Sequence, residues 1–361
     1  MKSRIACSCV FASIALTGFL PAAVHGHHSP AAFDMESTRT IDGEVVRILW
    51  RNPHIYFDIE VEDENGGIET WDVEAGWPNS LIRLGWSRDT VQVGDRVSVT
   101  GMPARNPERH ALIGLTLQKD GQVLSMNAPP GSPIVDQALS EEDRTGIAAA
   151  DALDGTWAPL TTDEMALLFP GDLPEGGPKF TELALAAIEE GLFVNEDPTE
   201  QAAATCTPML PPVNMIFSEP KVFDVRDDRI TIRVVVTGET ERTVWLGPSA
   251  LVQSAQDEQG RSVGRWDGDA LEVSTTFDAS LTERRRFQPG LPVPVGGATR
   301  VVERFELSND RRQLAYTWRI ENPEILAEPY TRTTTWAWRP DIEVPRMECD
   351  PSVARRFQDA F

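Results

Sequence analysis

Apolar and polar residues alternate with a period of two along the first half of the chain, which is the pattern of strands with one buried face. A short segment, residues 78–86, breaks this alternation with a proline near its start and a glycine near its end, which predicts a helix. The predicted strands cover residues 41–50, 55–61, 68–73, 94–101 and 111–117. Three strands, a helix and two strands is the order of an OB-type barrel, so residues 27–124 are predicted to form an OB-like five-stranded barrel.

The same alternation returns in the second half. It covers residues 229–236, 271–277, 301–307, 314–320 and 333–339, and an amphipathic helix is predicted at 179–191. The chain is therefore predicted to be mainly all-β, with an antiparallel β-sandwich or a calycin-like barrel with short helices over residues 154–361. Residues 125–153 lose the alternation and gain Pro, Ser, Ala and acidic residues, which indicates a linker.

The first 26 residues have the pattern of a secretory signal peptide. Lys2 and Arg4 precede an apolar run from Ile5 to Leu20, and small residues follow up to Gly26. Cleavage after Gly26 is favoured over cleavage after Ala23. The run is shorter than a membrane span and none follows it, so we expect an exported protein, periplasmic or secreted, without a membrane span.

Net charge and cysteine content limit the classes of binding partner and indicate the compartment. The formal net charge is −23, and removal of the signal peptide takes away two further positive charges. So acidic a chain repels nucleic acid and anionic lipid, and neither is an expected partner. The two cysteines outside the signal peptide, Cys206 and Cys349, are expected to form one disulfide in an oxidising compartment, with two buried free thiols as the alternative.

The histidines are the clearest chemical signal. His27 and His28 follow the preferred cleavage site, and His54 precedes the second predicted strand. A mature chain beginning at His27 presents an α-amine and imidazole nitrogens, a donor set that suits copper. We therefore expect a metal site formed by His27, His28 and His54, either for binding or for copper-dependent catalysis. The alternative is a solvated polar N-terminus with His54 in a turn.

The second domain contains weaker candidates for catalytic or binding residues. The face opposite the apolar one is expected to carry the charged residues Arg233, Glu272, Arg304, Arg319, Glu321 and Arg332, and a solvated outer face is the simpler interpretation of this set. A hydrolase that acts on carbohydrate or lipid stays open, with a carboxylate such as Glu303 or Glu321 at its site. No Gly-X-Ser-X-Gly motif, phosphate-binding glycine loop or Cys-X-X-Cys pair is present. The favoured function is thus a non-enzymatic binding protein for a metal ion and a small ligand or protein partner, and a structural envelope protein is a further alternative.

Four motifs then resemble an exported bacterial family, the domain of unknown function 6152. They are His27-His28-Ser29, Asn52-Pro53-His54, Gly76-Trp77-Pro78-Asn79-Ser80-Leu81 and Leu84-Gly85-Trp86. The resemblance covers about residues 27–124 and implies a periplasmic β-barrel without an assigned activity. The second half resembles another uncharacterised exported module, for example at Cys206-Thr207-Pro208, although Ala298-Thr299 replaces a His-Ser pair of that module.

Overall fold

The computed structural model contains two β-barrels in chain order. It describes residues 32–52, 54–127, 148–160, 177–189, 206–207, 209–217, 219–235, 238–248, 250, 259–277, 298–347 and 349–354. The first barrel and the second barrel correspond to the two stretches of alternating sequence, so the mainly β fold class is confirmed.

The first barrel has the strand order of an OB fold. Its strands are β1 (Arg39–Trp50), β2 (Ile55–Glu62), β3 (Ile68–Glu74), β4 (Arg96–Pro103) and β5 (Ala111–Lys119), and a short β6 (Gln122–Ser125) extends the sheet beyond β5. The order is β3-β2-β1-β4-β5-β6, and a parallel pairing of β3 with β5 closes the barrel. The alternating apolar residues Val45, Phe57, Val73, Val99 and Leu117 face one core.

Helix α1 (Pro78–Arg83) connects β3 to β4 and lies between the two barrels. It ends at Arg83, and Gly85, which follows the C-cap Leu84, has a φ of 86° that is accessible to glycine at little cost. The Trp86 amide donates to the Leu81 carbonyl at 3.0 Å. This is the usual hydrogen bonding of a glycine-terminated helix. Leu81 packs in the first core, whereas Ile82 packs against Val235 of the second barrel. The sequence-predicted helix is therefore present and joins the domains.

The second barrel is closed by nine strands of the described chain. They are β7 (Gly155–Pro159), β8 (Lys221–Val225), β9 (Arg229–Val235), β10 (Glu239–Leu246), β11 (Arg261–Asp267), β12 (Ala270–Thr276), β13 (Arg300–Leu307), β14 (Gln313–Glu321) and β15 (Tyr330–Trp338). Short helices are α2 (Glu182–Glu189), α3 (Val213–Ile216) and α4 (Pro351–Ala354). Of the two architectures left open by the sequence, the barrel is the one present. Neighbouring strands are antiparallel except β10 and β11, which pair in parallel.

The interior of the second barrel is filled by side chains. Large aromatic residues from β8, β13, β14 and β15 contact one another there, with Tyr316 and Trp336 ring centroids 4.7 Å apart. The fully buried members of this core include Trp157, Phe223, Phe305, Tyr316, Trp318 and Trp336. Because aromatic rings bury large areas, this core contributes strongly to the domain's stability.

Cys206 and Cys349 form the expected disulfide, with Cα atoms 5.8 Å apart. In the segment predicted as a linker, residues 128–147 lie outside the described residues. On either side of them, Met126 packs in the first core and Leu153 in the second. Among the described helices, none is long and apolar enough to cross a membrane.

Candidate functional site

His54 lies at the start of β2, with its side chain 17% exposed. Its Nδ1 atom lies 3.2 Å from the Ala75 carbonyl oxygen and 3.2 Å from Oε1 of Glu74. Both atoms are hydrogen-bond acceptors, so we assign the ring proton to Nδ1 and the lone pair to Nε2. A histidine oriented through one ring nitrogen by a carboxylate and a carbonyl is the usual outer-shell arrangement of a metal ligand.

Aromatic rings surround this imidazole. Tyr56 donates its hydroxyl proton to Oε2 of Glu74 at 3.1 Å, and its ring centroid is 6.5 Å from that of His54. The Trp77 ring lies 6.0 Å from His54, edge to face at 89°. On its other side, Trp77 stacks on Phe217 at 5.0 Å. Phe217 precedes β8, so a residue of the second barrel supports the environment of His54.

Burial sets the protonation state of this group. Removal from water lowers the pKa of His54 to about 4, and the hydrogen bond to Ala75 opposes that shift only in part. Desolvation disfavours the charged imidazolium, which explains the direction. His54 is therefore neutral at neutral pH, and the neutral imidazole is the form that coordinates metals.

The loop before His54 is also attached to the second barrel. Asn52 forms an isolated β-bridge with Cys349. The Asp350 amide donates to the Asn52 carbonyl at 3.5 Å, and Arg51 and Asp350 form an ion pair at 3.9 Å. The disulfide-bonded C-terminal segment thus holds the connection between β1 and β2, and the site lies at the junction of the two barrels.

The other two predicted ligands, His27 and His28, lie outside the described residues. Phe33, near the first described residue, belongs to the same hydrophobic cluster as Tyr56. Five or six residues separate it from these histidines, and an extended chain spans about 3.3–3.6 Å per residue. The described chain begins beside the cluster that contains Tyr56, whose ring centroid is 6.5 Å from that of His54. Within the described ranges, no group of three His, Cys, Asp or Glu residues is close enough to hold a metal ion.

The other residues considered for a site do not lie together in the structure. His110 stacks on Trp71 at 5.1 Å and lies 3.6 Å from a Glu69 carboxylate oxygen, on the first barrel. In the second barrel, Glu321 pairs with Arg300 and Arg319 on the outer face. The outer face also carries Arg233, Glu272 and Arg304. Arg332 differs from the expectation for this set: its register opposite Trp318 places it on the inner face of the barrel.

Sequence reasoning did not find a buried polar network inside the second barrel. Arg242 donates to both carboxylate oxygens of Glu303, to Ser262 at 2.8 Å and to the hydroxyl of Thr275. Tyr316 donates to Glu303 at 2.9 Å, and burial raises its pKa well above the usual value. The sequence feature that could have indicated this network is the position of Glu303, a charged residue among the apolar inward residues of β13. Both oxygens of this carboxylate are engaged, so it is suited to fixing the core rather than to acid–base chemistry.

A second buried charge, Lys221, lies near the domain junction. Its ammonium group donates to the carbonyls of Phe217 and Glu219, the latter at 2.7 Å. Burial lowers the pKa of Lys221 to about 7. Across the junction, Ser80 of α1 donates to Oε1 of Glu219 at 3.0 Å, and Arg83 donates to the Pro159 carbonyl at 2.9 Å. These bonds attach α1 to the second barrel.

Comparison with known proteins agrees with the resemblance of the first half. No curated protein matches the chain. The resemblance of the second half to an exported module stays a prediction. Residues 16–114, which include β1 to β4 and the start of β5, match the model of a family described as Family of unknown function (DUF6152).

Proposed function

We propose that this is an exported binding protein that holds a copper ion at its mature N-terminus, with His27, His28 and His54 as nitrogen ligands. The observation that carries the proposal is the hydrogen bonding of His54. Its Nδ1 lies 3.2 Å from the Glu74 carboxylate and 3.2 Å from the Ala75 carbonyl, and a histidine oriented in this way by a carboxylate and a carbonyl is typical of metal ligands.

Charge and position add support. A bound Cu(II) ion is positive, and the Glu74 carboxylate beside His54 is negative. The protein as a whole carries −23, which favours cations over anions. Imidazole and amine nitrogens suit Cu(II), which has the highest affinity in the divalent series. Copper would supply redox or Lewis-acid chemistry there, whereas the residues of this chain bind it and exclude water on the Trp77 side.

The enzyme alternative has less support from the residues considered for it. Glu303 is bonded to Arg242 and Tyr316 inside the barrel. Glu321 is paired with arginines on the outer face. Neither arrangement places two carboxylates on either side of an open cleft, which glycoside hydrolysis requires. The second barrel is therefore proposed to bind a small ligand or a partner rather than to transform it.

A copper titration of the exported protein tests the proposal, after mass spectrometry has established its first residue. We expect one equivalent of tightly bound Cu(II) with the spectroscopic signature of nitrogen ligands. Binding should be lost in His27→Ala and when one glycine is added before His27, and it should weaken at least tenfold in His54→Ala.

His110→Ala is the matched control, because His110 is also a partly exposed histidine beside a carboxylate and an indole ring. It should bind copper like the unmodified protein. Absence of binding, or equal binding in all the variants, would contradict the copper proposal and favour a structural role in the cell envelope.

A further inference from the structure

A cleft of about 420 Å³ lies at one end of the second barrel. Three pieces of chain form it: the segment before β7, the turn between β11 and β12, and the turn between β13 and β14. The lining residues are Asp151, Ala152, Leu153, Trp266, Gly268, Asp269, Leu307, Ser308, Asn309 and Arg311. The volume lies within the range of small-molecule sites, and the cleft is separate in the chain from the residues around His54.

One wall of the cleft is an exposed indole ring. Trp266, near the end of β11, is 44% exposed, whereas the barrel tryptophans Trp157, Trp318 and Trp336 are fully buried. Trp266 has the inward register of β11 opposite Leu271, but it lies where the barrel ends and its ring is not covered. A large rigid aromatic surface left open beside a cleft is suited to stacking against the apolar face of a ligand.

Polar side chains without partners among the described residues also line the cleft. Within the described chain, the side chains of Asp151, Asp269 and Asn309 make no hydrogen bond or ion pair. Their neighbours differ: Asp267 pairs with Arg304 at 3.0 Å, and the Ser308 hydroxyl is used within its own turn. Two carboxylates and one amide are thus available as acceptors and donors in the cleft that Trp266 also lines.

We propose that this cleft binds a neutral sugar ring. A pyranose has an apolar C–H face that can stack on Trp266 and a rim of hydroxyls that both donate and accept hydrogen bonds. Asp151 and Asp269 would accept from hydroxyls, and Asn309 would donate and accept. The two carboxylates outnumber the single guanidinium of Arg311, which disfavours acidic sugars. This proposal names the ligand class of the second barrel. It rests on the proposed binding role of that barrel and does not depend on copper.

Saturation-transfer NMR with the full mature chain tests it. The probes are D-glucose, D-galactose, N-acetyl-D-glucosamine and cellobiose, with tetramethylammonium as a cationic comparison. We expect saturation transfer to at least one sugar. The dissociation constant should rise about tenfold in Trp266→Ala and in Asp269→Asn, because each removes a direct contact at the centre of the site.

Asp267→Asn is the matched control, because this carboxylate lies two residues from Asp269 and pairs with Arg304 instead of facing the cleft unpaired. It should bind sugar like the unmodified protein, and so should His54→Ala, which separates this test from the copper test. Trp266→Phe, which keeps an aromatic face, should retain part of the binding and guards against a folding defect in Trp266→Ala. Transfer to no sugar, transfer unaffected by Trp266→Ala, or transfer to tetramethylammonium alone would overturn the proposal.

Discussion

The replacement Glu303→Leu removes the acceptor at the centre of the polar network inside the second barrel. Glu303 is fully buried, and the Arg242 side chain is 2% exposed. In the variant, the guanidinium keeps the hydroxyls of Ser262 and Thr275 but loses its carboxylate. The barrel would then contain an uncompensated positive charge among aromatic rings.

The expected cost follows from this geometry. Removal of one partner of a buried ion pair costs about 3–5 kcal/mol. Tyr316, whose hydroxyl donates to Glu303 at 2.9 Å, also loses its acceptor, which by itself costs about 1–3 kcal/mol. The two effects overlap, so we expect the free energy of unfolding to fall by about 4–5 kcal/mol. The double variant Glu303→Leu with Arg242→Met removes both charges, so it should be at least about 2 kcal/mol more stable than Glu303→Leu alone.

Urea denaturation followed by tryptophan fluorescence measures these differences. Glu321→Leu is the control, because this glutamate pairs with Arg300 and Arg319 on the outer face, and surface pairs contribute about 0–1 kcal/mol. A loss of stability in Glu303→Leu no larger than that in Glu321→Leu would contradict the assignment of a buried ion pair. A double variant less stable than Glu303→Leu would contradict it as well.

Three further predictions concern the same domain. Cys349→Ser removes the disulfide to Cys206, which closes a loop across a sequence separation of 143. The free energy of unfolding, measured by denaturation at fixed pH, should fall by about 5 kcal/mol, and a fall below about 1 kcal/mol would contradict this. Burial lowers the pKa of Lys221 from 10.5 to about 7, so the unfolded chain binds more protons than the folded chain between these pH values. The stability of the unmodified protein relative to Lys221→Met should therefore rise from pH 7 to pH 10, and a constant difference would argue against the shift. Gly155→Ala should cost about 1–3 kcal/mol by thermal melting, because φ is +112° and a Cβ atom would meet the Trp338 ring; an unchanged melting temperature would show that the ring moves aside.

The elements of this fold could be predicted from local pattern. Alternation along β1, β9, β12, β13 and β14 identified the strands, because a strand with one buried face repeats every two residues. The order of three strands, α1 and two strands identified the OB-like barrel. Cys206 and Cys349, which follow the predicted signal peptide, were predicted to pair, and they form the disulfide. Each of these signals is carried by residues close in the chain or by residue type alone.

The candidate sites could be predicted only in part. His54 was identified by its residue type, whereas its partners Glu74 and Ala75 are twenty or more residues away and Phe217 belongs to the other barrel. The cleft at Trp266 was not predicted, because no strand was predicted over residues 261–267 and the position of this tryptophan at the end of the barrel depends on the pairing of β11 with β12.

From the sequence alone, β1 to β5, β9 and β12 to β15 could be predicted together with the apolar face of each, since both follow from the period-two pattern. The strands β6, β7, β8, β10 and β11 were not predicted. Tertiary structure alone decided that the second sheet closes on itself, through the parallel pairing of β10 with β11 and the pairing of β15 with β7. It also decided that Arg242 meets Glu303 inside that barrel and that α1 joins the two domains. The physical reason is that pairing between distant strands depends on the sum of many weak contacts across the whole core, and no local pattern of residues encodes that sum.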